Sequence, residues 1–382
     1  MDPNKEHLEK PNVFRVPLND LSRLTSGEIS NIHNLLLEVL KSGSYILGKQ
    51  VKKFETEIAS FIGVNFAFGV GNGTDALEIA MRSLGIKSGD EVVMTANSGG
   101  YSRIAAERIG ATSKYVDVDM DLGLISAESL DAYLRNNTKP KAVVVTHLYG
   151  NAADVPAIVE ICNPYGVQVI EDCAQSFGAQ SGSLMCGGIG AVSTFSFFPT
   201  KNLGGIGDGG AVLTSNNEIA KRINALRQYG WASKYNVEIL AGVNSRLDEL
   251  QAAILSMRMS QVLTNNQIRR NILERYRIAL ADTKVTCLWS NDQGSVGHLA
   301  VVACSERDKL INHLNDRQID TSIHYPILDV DQVAWRGEVT LIDDIPNTRQ
   351  LNNQIITLPC FPSMTNEEII RVSNALAEFE SS

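Results

Sequence analysis

The sequence predicts an α/β fold in which helices cover both faces of a mostly parallel sheet of six or seven strands. One indication is that apolar β-branched runs alternate with amphipathic helical stretches over the first two thirds of the chain. Another is that several of these runs are apolar throughout, as strands buried on both faces of a parallel sheet must be. A length of 382 residues, with 44% apolar and 20% charged residues, is sufficient for two or three globular domains.

The predicted strands follow one another along the chain, each leading into a helical or glycine-rich stretch. They are FAFGV (66–70), EVVMT (91–95), KAVVVTHLYG (141–150), VQVIED (167–172) and VSTFSFF (192–198), with GAVLT as a further strand. Residues 246–280 keep helical periodicity over about nine turns, which predicts one long helix that bridges two domains.

Beyond this helix the pattern changes. Short strands such as GHLAVVACS (297–305) are followed by the helical stretch ERDKLINHLNDR and a closing helix NEEIIRVSNALAEF. We therefore expect a large α/β domain with an N-terminal arm over residues 1–260, and a small C-terminal α+β domain over residues 261–382.

Composition and charge argue against several classes of function. Since 34 Lys and Arg stand against 43 Asp and Glu, the net charge is −9, and the chain lacks the basic field that holds nucleic acids or membrane surfaces. The dispersed histidines show no metal-ligand spacing, so no metal site is predicted. The six cysteines form no CxxC pair, which indicates buried thiols in a reducing compartment. A polar N-terminus and the lack of a long apolar run predict a cytoplasmic protein.

Acidic residues close one of the apolar strands. VQVIED ends in Glu171 and Asp172, and open α/β sheets bind ligands at such carboxyl ends. A carboxylate buried there needs a cation or strong donors. The alternative is a carboxylate that only caps the following helix.

Ser196 and Lys201 lie at the end of the next apolar strand, just before a glycine-rich run. A lysine between apolar residues and flexible glycines can be a desolvated amine with a lowered pKa, as Schiff-base chemistry requires. Taken alone, Lys201 is also consistent with an ordinary surface lysine.

A glycine turn, GVGNGTDAL, joins a strand to a helix. Free backbone amides and the helix dipole favour a phosphate there, although a plain tight turn is an alternative. Gly71, Gly73 and Ala76 also fit the GxGxxA pattern of dinucleotide sites. Such a site requires an acid at the end of the next strand, where this chain has Thr95 and Asn97.

One ligand satisfies all three positions together. Pyridoxal 5′-phosphate needs a lysine for a Schiff base, a carboxylate for its pyridinium nitrogen and a helix N-terminus for its phosphate. The carboxylate keeps the ring nitrogen protonated, and a released Lys201 can act as the base that moves the proton of the amino carbon.

The chain resembles the DegT/DnrJ/StrS-type sugar aminotransferases, within the fold type I pyridoxal-phosphate enzymes. The resemblance runs from VPLNDL (16–21) to LPCFPSMT (358–365). It includes the segments GNGTDALEIAMRSLGI, HLYGNAADV, VIEDCAQSFGA, FSFFPTKNLGGIGDGGAVLT, GVNSRLDELQAAIL and SIHYP. It implies a large domain with a seven-stranded, mostly parallel sheet flanked by helices, and a smaller C-terminal α+β domain.

The resemblance also implies roles for single residues. Lys201 is the implied catalytic, Schiff-base lysine, Asp172 the partner of the pyridinium nitrogen, and Gln175 the group near the ring 3-hydroxyl. The implied phosphate ligands are Gly73, Thr74 and Ser196.

Further implied residues come from more distant segments. Asn244 reaches the phosphate from the neighbouring subunit, which implies a homodimer with shared sites. Tyr45, His324 and Tyr325 match segments that approach the sugar. From the residues alone, Asn244 could instead cap the helix that starts near residue 246, and His324 could be a packed loop histidine.

One segment departs from the family pattern. After the strand EVVMT the family has P-x-N-T followed by an aromatic ring that stacks on the cofactor, whereas ANSGGYS places Gly99 at the aromatic position. We expect Tyr101 to take over this cofactor-binding role. The alternative is that another group covers the cofactor.

The resemblance implies an aminotransferase that moves nitrogen from L-glutamate to the carbonyl of a sugar. A nucleotide-linked keto-deoxysugar for surface polysaccharide, lipopolysaccharide or another amino-sugar product is the expected acceptor. The alternatives are an unactivated sugar such as the 8-aldehyde of an octulosonate, a sugar dehydratase that uses the same cofactor, and a non-catalytic regulator. Lys201 argues against the dehydratase, because that variant carries histidine in place of the lysine.

Overall fold

A computed structural model describes residues 15–136, 140–335 and 344–379 of the chain, so the polar N-terminus discussed above lies outside the described residues. The helices are α1 (Ser26–Ser42), α2 (Lys49–Ile62), α3 (Gly73–Ser83), α4 (Tyr101–Ile109), α5 (Ala127–Asn136), α6 (Val155–Cys162), α7 (Asn217–Leu226), α8 (Glu249–Met259), α9 (Val262–Ala279), α10 (Arg307–Asp316), α11 (Pro346–Gln354) and α12 (Asn366–Ala377). The strands are β1 (Phe66–Val70), β2 (Glu91–Met94), β3 (Thr112–Tyr115), β4 (Ala142–Thr146), β5 (Gln168–Asp172), β6 (Gln180–Ser181), β7 (Leu184–Met185), β8 (Val192–Ser196), β9 (Gly210–Thr214), β10 (Trp231–Ser233), β11 (Asn236–Val237), β12 (Thr286–Cys287), β13 (Ala300–Ala303) and β14 (Ile355–Leu358).

A seven-stranded sheet with the order β1-β9-β8-β5-β4-β2-β3 forms the centre of the fold. Strand β9 is antiparallel to both of its neighbours, and the other neighbouring pairs are parallel. The predicted α/β fold with a mostly parallel seven-stranded sheet is thus confirmed.

Helices cover both faces of this sheet, and strand β4 shows how its sequence serves them. Successive residues of a strand point to opposite faces. Val144 packs in one apolar cluster with Met81 of α3, whereas Val143 and Val145 pack in another with Leu130 of α5. The run AVVV, which precedes Thr146, is apolar because each of its faces meets a helical layer.

The single long helix predicted over residues 246–280 is wrong, because the structure has two helices, α8 and α9, in this stretch. The hydroxyl of Ser260 donates to the Met257 carbonyl at 2.9 Å, and the Gln261 amide donates to the Arg258 carbonyl at 3.0 Å. These contacts satisfy carbonyls that a continuous helix would use. Helix α8 packs against α2 and α9 against α12, so the break lets the two helices serve different layers.

The C-terminal part of the chain contains an antiparallel three-stranded sheet, β12-β13-β14. Side chains of this sheet and of α9, α10 and α12 share one apolar cluster, which includes Tyr276 and Phe361. Val16 belongs to the same cluster and forms a parallel bridge with Ile319. The predicted domain boundary near residue 260 stays a prediction. Within the described ranges, no helix has the length and apolarity that a membrane span requires.

Asp329 is a buried carboxyl group that faces the start of α4. In the part of the chain that is described, neither of its carboxylate oxygens makes a hydrogen bond. Burial raises the pKa of Asp329 to about 7, although the Gly100 amide and the Arg103 guanidinium act in the opposite direction. An unfolded Asp has a pKa of about 3.9. The folded state therefore binds this proton more tightly than the unfolded state does. As a result, Asp329 lowers the free energy of unfolding as the pH rises from about 4 through 7.

Asp329→Asn should raise the melting temperature above pH 7 and change it little near pH 4, because the amide brings no charge into the site. Thermal unfolding of both proteins between pH 4 and pH 8 measures this difference. Asp331→Asn is the matched control, since Asp331 is an exposed carboxylate paired with Arg349 and should contribute little. Equal melting temperatures of the wild type and the Asp329 variant at pH 8 would contradict the assignment.

Candidate functional site

A cavity of about 490 Å³ opens at the carboxyl ends of β4, β5 and β8, beside the N-terminus of α3. It brings together all but two of the site residues predicted from the sequence. The predicted residues that line it are Gly73, Thr74, Tyr101, Asp172, Gln175, Ser196, Lys201, His324 and Tyr325.

The N-terminus of α3 presents free backbone amides to this cavity. Asn72 caps the helix, because its Oδ1 accepts from the Asp75 amide at 2.8 Å and its carbonyl accepts from the Ala76 amide at 3.0 Å. The amides of Gly73 and Thr74 belong to the first turn and have no partner inside the helix. The predicted helix N-terminus with donors for an anion is therefore in place.

Gly73 approaches strand β8 so closely that only glycine fits. A Cβ atom at this position would lie 2.8 Å from the Cβ of Ser196 and 3.2 Å from its hydroxyl oxygen. The missing side chain leaves a small cradle between the start of α3 and the end of β8.

Asp172 ends β5 in a buried position. Its Oδ1 accepts from the Ala174 amide at 3.1 Å, and its Oδ2 accepts from the Thr146 hydroxyl at 3.4 Å. Burial raises the pKa of Asp172, while these donors and the nearby Lys201 act to lower it. The carboxylate therefore gains from any further cationic donor in the cavity.

Glu171 points to the opposite side of the strand and is satisfied by the protein itself. It accepts the amides of Gly187 at 2.8 Å, Ile189 at 2.8 Å and Gly190 at 2.6 Å, and lies 3.2 Å from His147 Nε2. Burial would raise the pKa of Glu171, but His147 and the backbone amides lower it overall. Of the two acids that close the strand, only Asp172 faces the cavity.

The atoms of His147, Glu171 and Cys173 approach one another closely enough to hold a metal ion. Both His147 nitrogens are already engaged, since Nδ1 accepts from the Ala153 amide at 3.0 Å and Nε2 contacts Glu171. We interpret this cluster as a packed hydrogen-bond network beneath the cavity.

Lys201 lies in the glycine-rich turn after β8, where its amide donates to the Phe198 carbonyl at 2.8 Å. Burial lowers the pKa of Lys201 to about 8, and the charge of Asp172 opposes this shift. An amine with this pKa is available as a base and as a nucleophile near neutral pH. Lys201 is half-buried and lines the cavity, which favours a desolvated amine over an ordinary surface lysine.

Gln175 connects two walls of the cavity. Its Oε1 accepts from the Tyr149 amide at 2.7 Å, and its Nε2 donates to the Tyr325 hydroxyl at 3.0 Å. The Tyr149 hydroxyl donates to the His324 carbonyl at 2.7 Å. These bonds tie the segment that carries His324 and Tyr325 to the end of the central sheet.

Gly99 stands where the family pattern has an aromatic ring, and the structure explains the difference. Its φ is +82°, and a Cβ atom here would lie 3.0 Å from the Tyr325 ring and 3.1 Å from the Tyr101 ring. The rings of Tyr101 and Tyr325 meet edge to face, with centroids 6.1 Å apart. Two tyrosines from separate segments therefore occupy the space beside Gly99, and Tyr101 lines the cavity as expected.

Two predicted residues, Tyr45 and Asn244, do not line this cavity and are exposed. The Tyr45 hydroxyl donates to the Leu40 carbonyl at 3.4 Å. Asn244 forms a bridge with Gln228, and the N-cap position of α8 is occupied by Asp248. The alternative that Asn244 caps this helix is therefore wrong.

Several lining residues escaped the sequence analysis. Thr146 lies opposite Asp172 in the β4–β5 register, so strand pairing could have revealed it. His298 precedes β13, far from the other site residues along the chain, and its sequence carried no signal beyond a histidine before a buried strand. The other lining residues are Asn72, Leu77, Ser98, Ala174, Phe198, Thr200, Asp208 and Leu299.

The chain is similar in sequence and fold to several known proteins. The model of the DegT/DnrJ/EryC1/StrS aminotransferase family matches residues 27–377. The dTDP-3-amino-3,6-dideoxy-alpha-D-galactopyranose transaminase of Aneurinibacillus thermoaerophilus is 38% identical over 368 residues, which cover 95% of this chain and 99% of that protein. The 3-oxo-glucose-6-phosphate:glutamate aminotransferase of Bacillus subtilis is 32% identical over 381 residues, with 95% and 83% covered. The crystal structure of ntda from Bacillus subtilis with bound cofactor PMP has a TM-score of 0.87 at 31% identity and covers 95% of this chain and 84% of that one.

Gly99→Ala should destabilise the protein through two effects, a positive φ and contact with the tyrosine rings. Gly43→Ala is the matched control, because Gly43 has a φ of +66° and a Cβ atom there would meet none of the described residues within 4 Å. We expect Gly99→Ala to cost about 1–3 kcal/mol more than the control in urea unfolding, the usual range for overpacking. The excess should shrink when Tyr325→Ala is added and vanish when Tyr101→Ala is added as well, since both rings meet the new Cβ. An excess that persists without either ring would show that the rings are not its cause.

Proposed function

This chain belongs to the DegT/DnrJ/EryC1/StrS aminotransferase family, and we propose that Lys201 and Asp172 carry out the reaction of that family in the cavity. The chain is a sugar aminotransferase that depends on pyridoxal phosphate. The observation that carries the proposal is that a desolvated amine and a buried carboxylate line the same cavity, and each shifts the pKa of the other.

The residues present fit this cofactor. The amides of Gly73 and Thr74 and the hydroxyl of Ser196 surround the cradle that a side chain at position 73 would fill, and an anionic phosphate suits these donors. Asp172 has a neutral hydroxyl and one amide as its hydrogen-bond donors in the described ranges, so a cationic ring N–H would complete its surroundings. Lys201 supplies the amine.

When bound, pyridoxal phosphate supplies an aldehyde that condenses with amines and a protonated ring that withdraws electrons from the neighbouring carbon. Asp172 would hold the positive charge on the ring nitrogen. Lys201 Nζ, with a pKa of about 8, takes the proton from the amino carbon and returns it. Gln175 would contact the ring hydroxyl, and its Nε2 also donates to the Tyr325 hydroxyl. Tyr101 and Tyr325 occupy the space beside Gly99, the position at which the family pattern has an aromatic ring.

For the sugar, we propose a nucleotide-linked keto-deoxyhexose. The relative from Aneurinibacillus thermoaerophilus is named for a dTDP-linked amino sugar, and its similarity extends over 95% of this chain. The Bacillus subtilis relative is named for a sugar phosphate without a nucleotide and for glutamate. It supports L-glutamate as the amino donor here, and an unactivated sugar as the second candidate acceptor. His324 and Tyr325 form the wall of the cavity that the sugar approaches.

We further propose a homodimer in which Asn244 and Tyr45 complete the cavity of the partner subunit. Both are exposed and lie outside the cavity of their own chain. Large apolar side chains are exposed in the segment 229–240, which shortly precedes Asn244 in the chain, and such exposure is typical of an interface between subunits. These are Tyr229, Tyr235, Val237 and Leu240. We also propose a cytoplasmic location, which the six unpaired cysteines support, and a role in surface-polysaccharide or lipopolysaccharide synthesis.

Borohydride treatment of the purified holoenzyme should attach the cofactor covalently to Lys201, as peptide mass spectrometry would show. Lys201→Ala should retain cofactor and lose about 10²- to 10⁴-fold or more in turnover of glutamate with the keto-sugar, the range of a proton-transfer group. Lys221→Ala, an exposed lysine outside the cavity, is the control and should leave both readouts unchanged. Labelling at another lysine would overturn the assignment.

Mixing Lys201→Ala with Asn244→Ala subunits should restore activity if the sites are shared. Each mixed dimer then has one site with an intact Lys201 and an intact Asn244. Random reassortment places about a quarter of the sites in this intact form. No recovery, although native mass spectrometry shows mixed dimers, would contradict the shared site.

A further inference from the structure

His298 lines the cavity together with Lys201 and is 6% exposed. It precedes the partly buried Leu299 and strand β13 of the small sheet, so it comes to the cavity from a different part of the chain than α3 does. The mechanism above gives it no role.

Two asparagine side chains behind His298 have a fixed orientation. Asn266 Nδ2 donates to the Phe177 carbonyl at 2.9 Å, so its Oδ1 faces Asn202. Asn202 Nδ2 then donates to Asn266 Oδ1 at 2.8 Å and to the Val296 carbonyl at 3.0 Å. Because backbone carbonyls cannot donate, turning either amide around would place oxygen against oxygen.

This orientation decides where His298 carries its hydrogen. Its Nδ1 lies 3.0 Å from Asn202 Oδ1, an atom that can only accept, so Nδ1 bears the hydrogen. Burial, together with the positive charges of Lys201, Arg269 and His324, lowers the pKa of His298 well below its usual value. The ring is therefore neutral, and Nε2 presents a lone pair.

The lone pair on Nε2 needs a donor from outside the chain. In the described residues Nε2 has no hydrogen-bond partner, and it is not among the fully enclosed polar atoms. Lys201 makes no hydrogen bond to it there. Glutamate presents carboxylate oxygens, which a lone pair repels, and its amino group is the reacting group. A sugar, in contrast, offers several hydroxyl donors.

We propose that His298 is a specificity-determining residue whose Nε2 accepts a hydrogen bond from a hydroxyl group of the bound sugar. This proposal rests on the sugar aminotransferase function proposed above. It assigns a hydrogen-bond partner to His298, a residue to which that function gives no role. The Asn202–Asn266 pair, anchored to two backbone carbonyls, holds His298 in this accepting form. The site thereby favours a sugar with a hydroxyl donor at this point over one with hydrogen or a carbonyl there.

Two substitutions separate the two nitrogens of His298. In His298→Asn the amide can replace Nδ1 as donor to Asn202, but nothing replaces Nε2. In His298→Gln the longer side chain can place a carbonyl oxygen near the Nε2 position. With the holoenzyme and dTDP-3-amino-3,6-dideoxy-α-D-galactopyranose as the sugar, binding and the reverse half-reaction are followed by absorbance of the cofactor.

His298→Asn should weaken binding of this sugar about 10-fold, which corresponds to about 1.4 kcal/mol, and change the glutamate half-reaction less than about 2-fold. His298→Gln should recover part of the loss. Unchanged sugar binding in His298→Asn, or an equal loss with glutamate, would overturn the proposal. A wild-type enzyme that reacts with glutamate and not with this sugar would instead overturn the proposed nucleotide-linked substrate.

A second measurement does not depend on any substrate. The ¹⁵N spectrum of histidine-labelled holoenzyme at pH 7 should show one neutral imidazole protonated at Nδ1 that is missing from His298→Asn. A His298 signal protonated at Nε2 would overturn the proposal, whatever the sugar turns out to be.

Discussion

Burial of Asp172 beside Lys201 is the constraint on which the rest of the cavity depends. A charge removed from water is stable only where other charges or donors replace the water. Here each of the two groups takes the place of water for the other. The charge of each also reduces the pKa shift that burial imposes on its partner. Glu171, one residue earlier, is stabilised in a different way, by hydrogen bonds from backbone amides and by contact with His147. Neighbouring acids on one strand therefore serve two purposes, one structural and one chemical.

Much of this arrangement could be predicted, because parallel strands bring their carboxyl ends to one edge of the sheet. Asp172 is paired in register with Thr146 of β4 and with Thr194 of β8. A polar residue at the end of an apolar run can therefore be assigned to the carboxyl edge of the sheet from the sequence alone. The grouping of Gly73 with Ser196 came instead from the family resemblance, and the structure places the start of α3 against the end of β8.

The features that escaped prediction depend on contacts between distant segments. Strand β3 is short, polar and at the edge of the sheet, so its pattern resembles a loop. The break between α8 and α9 contains neither proline nor glycine and follows from packing against different layers. The accepting form of His298 depends on Asn202 and Asn266, which no local pattern connects with it. Tyr45 and Asn244 lie outside the cavity of their own chain, so the structure of one chain does not show what they would contact in a dimer.

The contact between Gly99 and Tyr325 also limits how this enzyme can diverge or be redesigned. A larger residue at position 99 and a tyrosine at position 325 compete for the same volume. Restoring an aromatic ring at the earlier position thus requires a smaller side chain at the later one, and either change alone passes through a less stable intermediate sequence. Tyr325 is also held by Gln175. Remodelling the acceptor side of the pocket is therefore a problem of paired substitutions, and libraries that vary one codon at a time will miss its solutions.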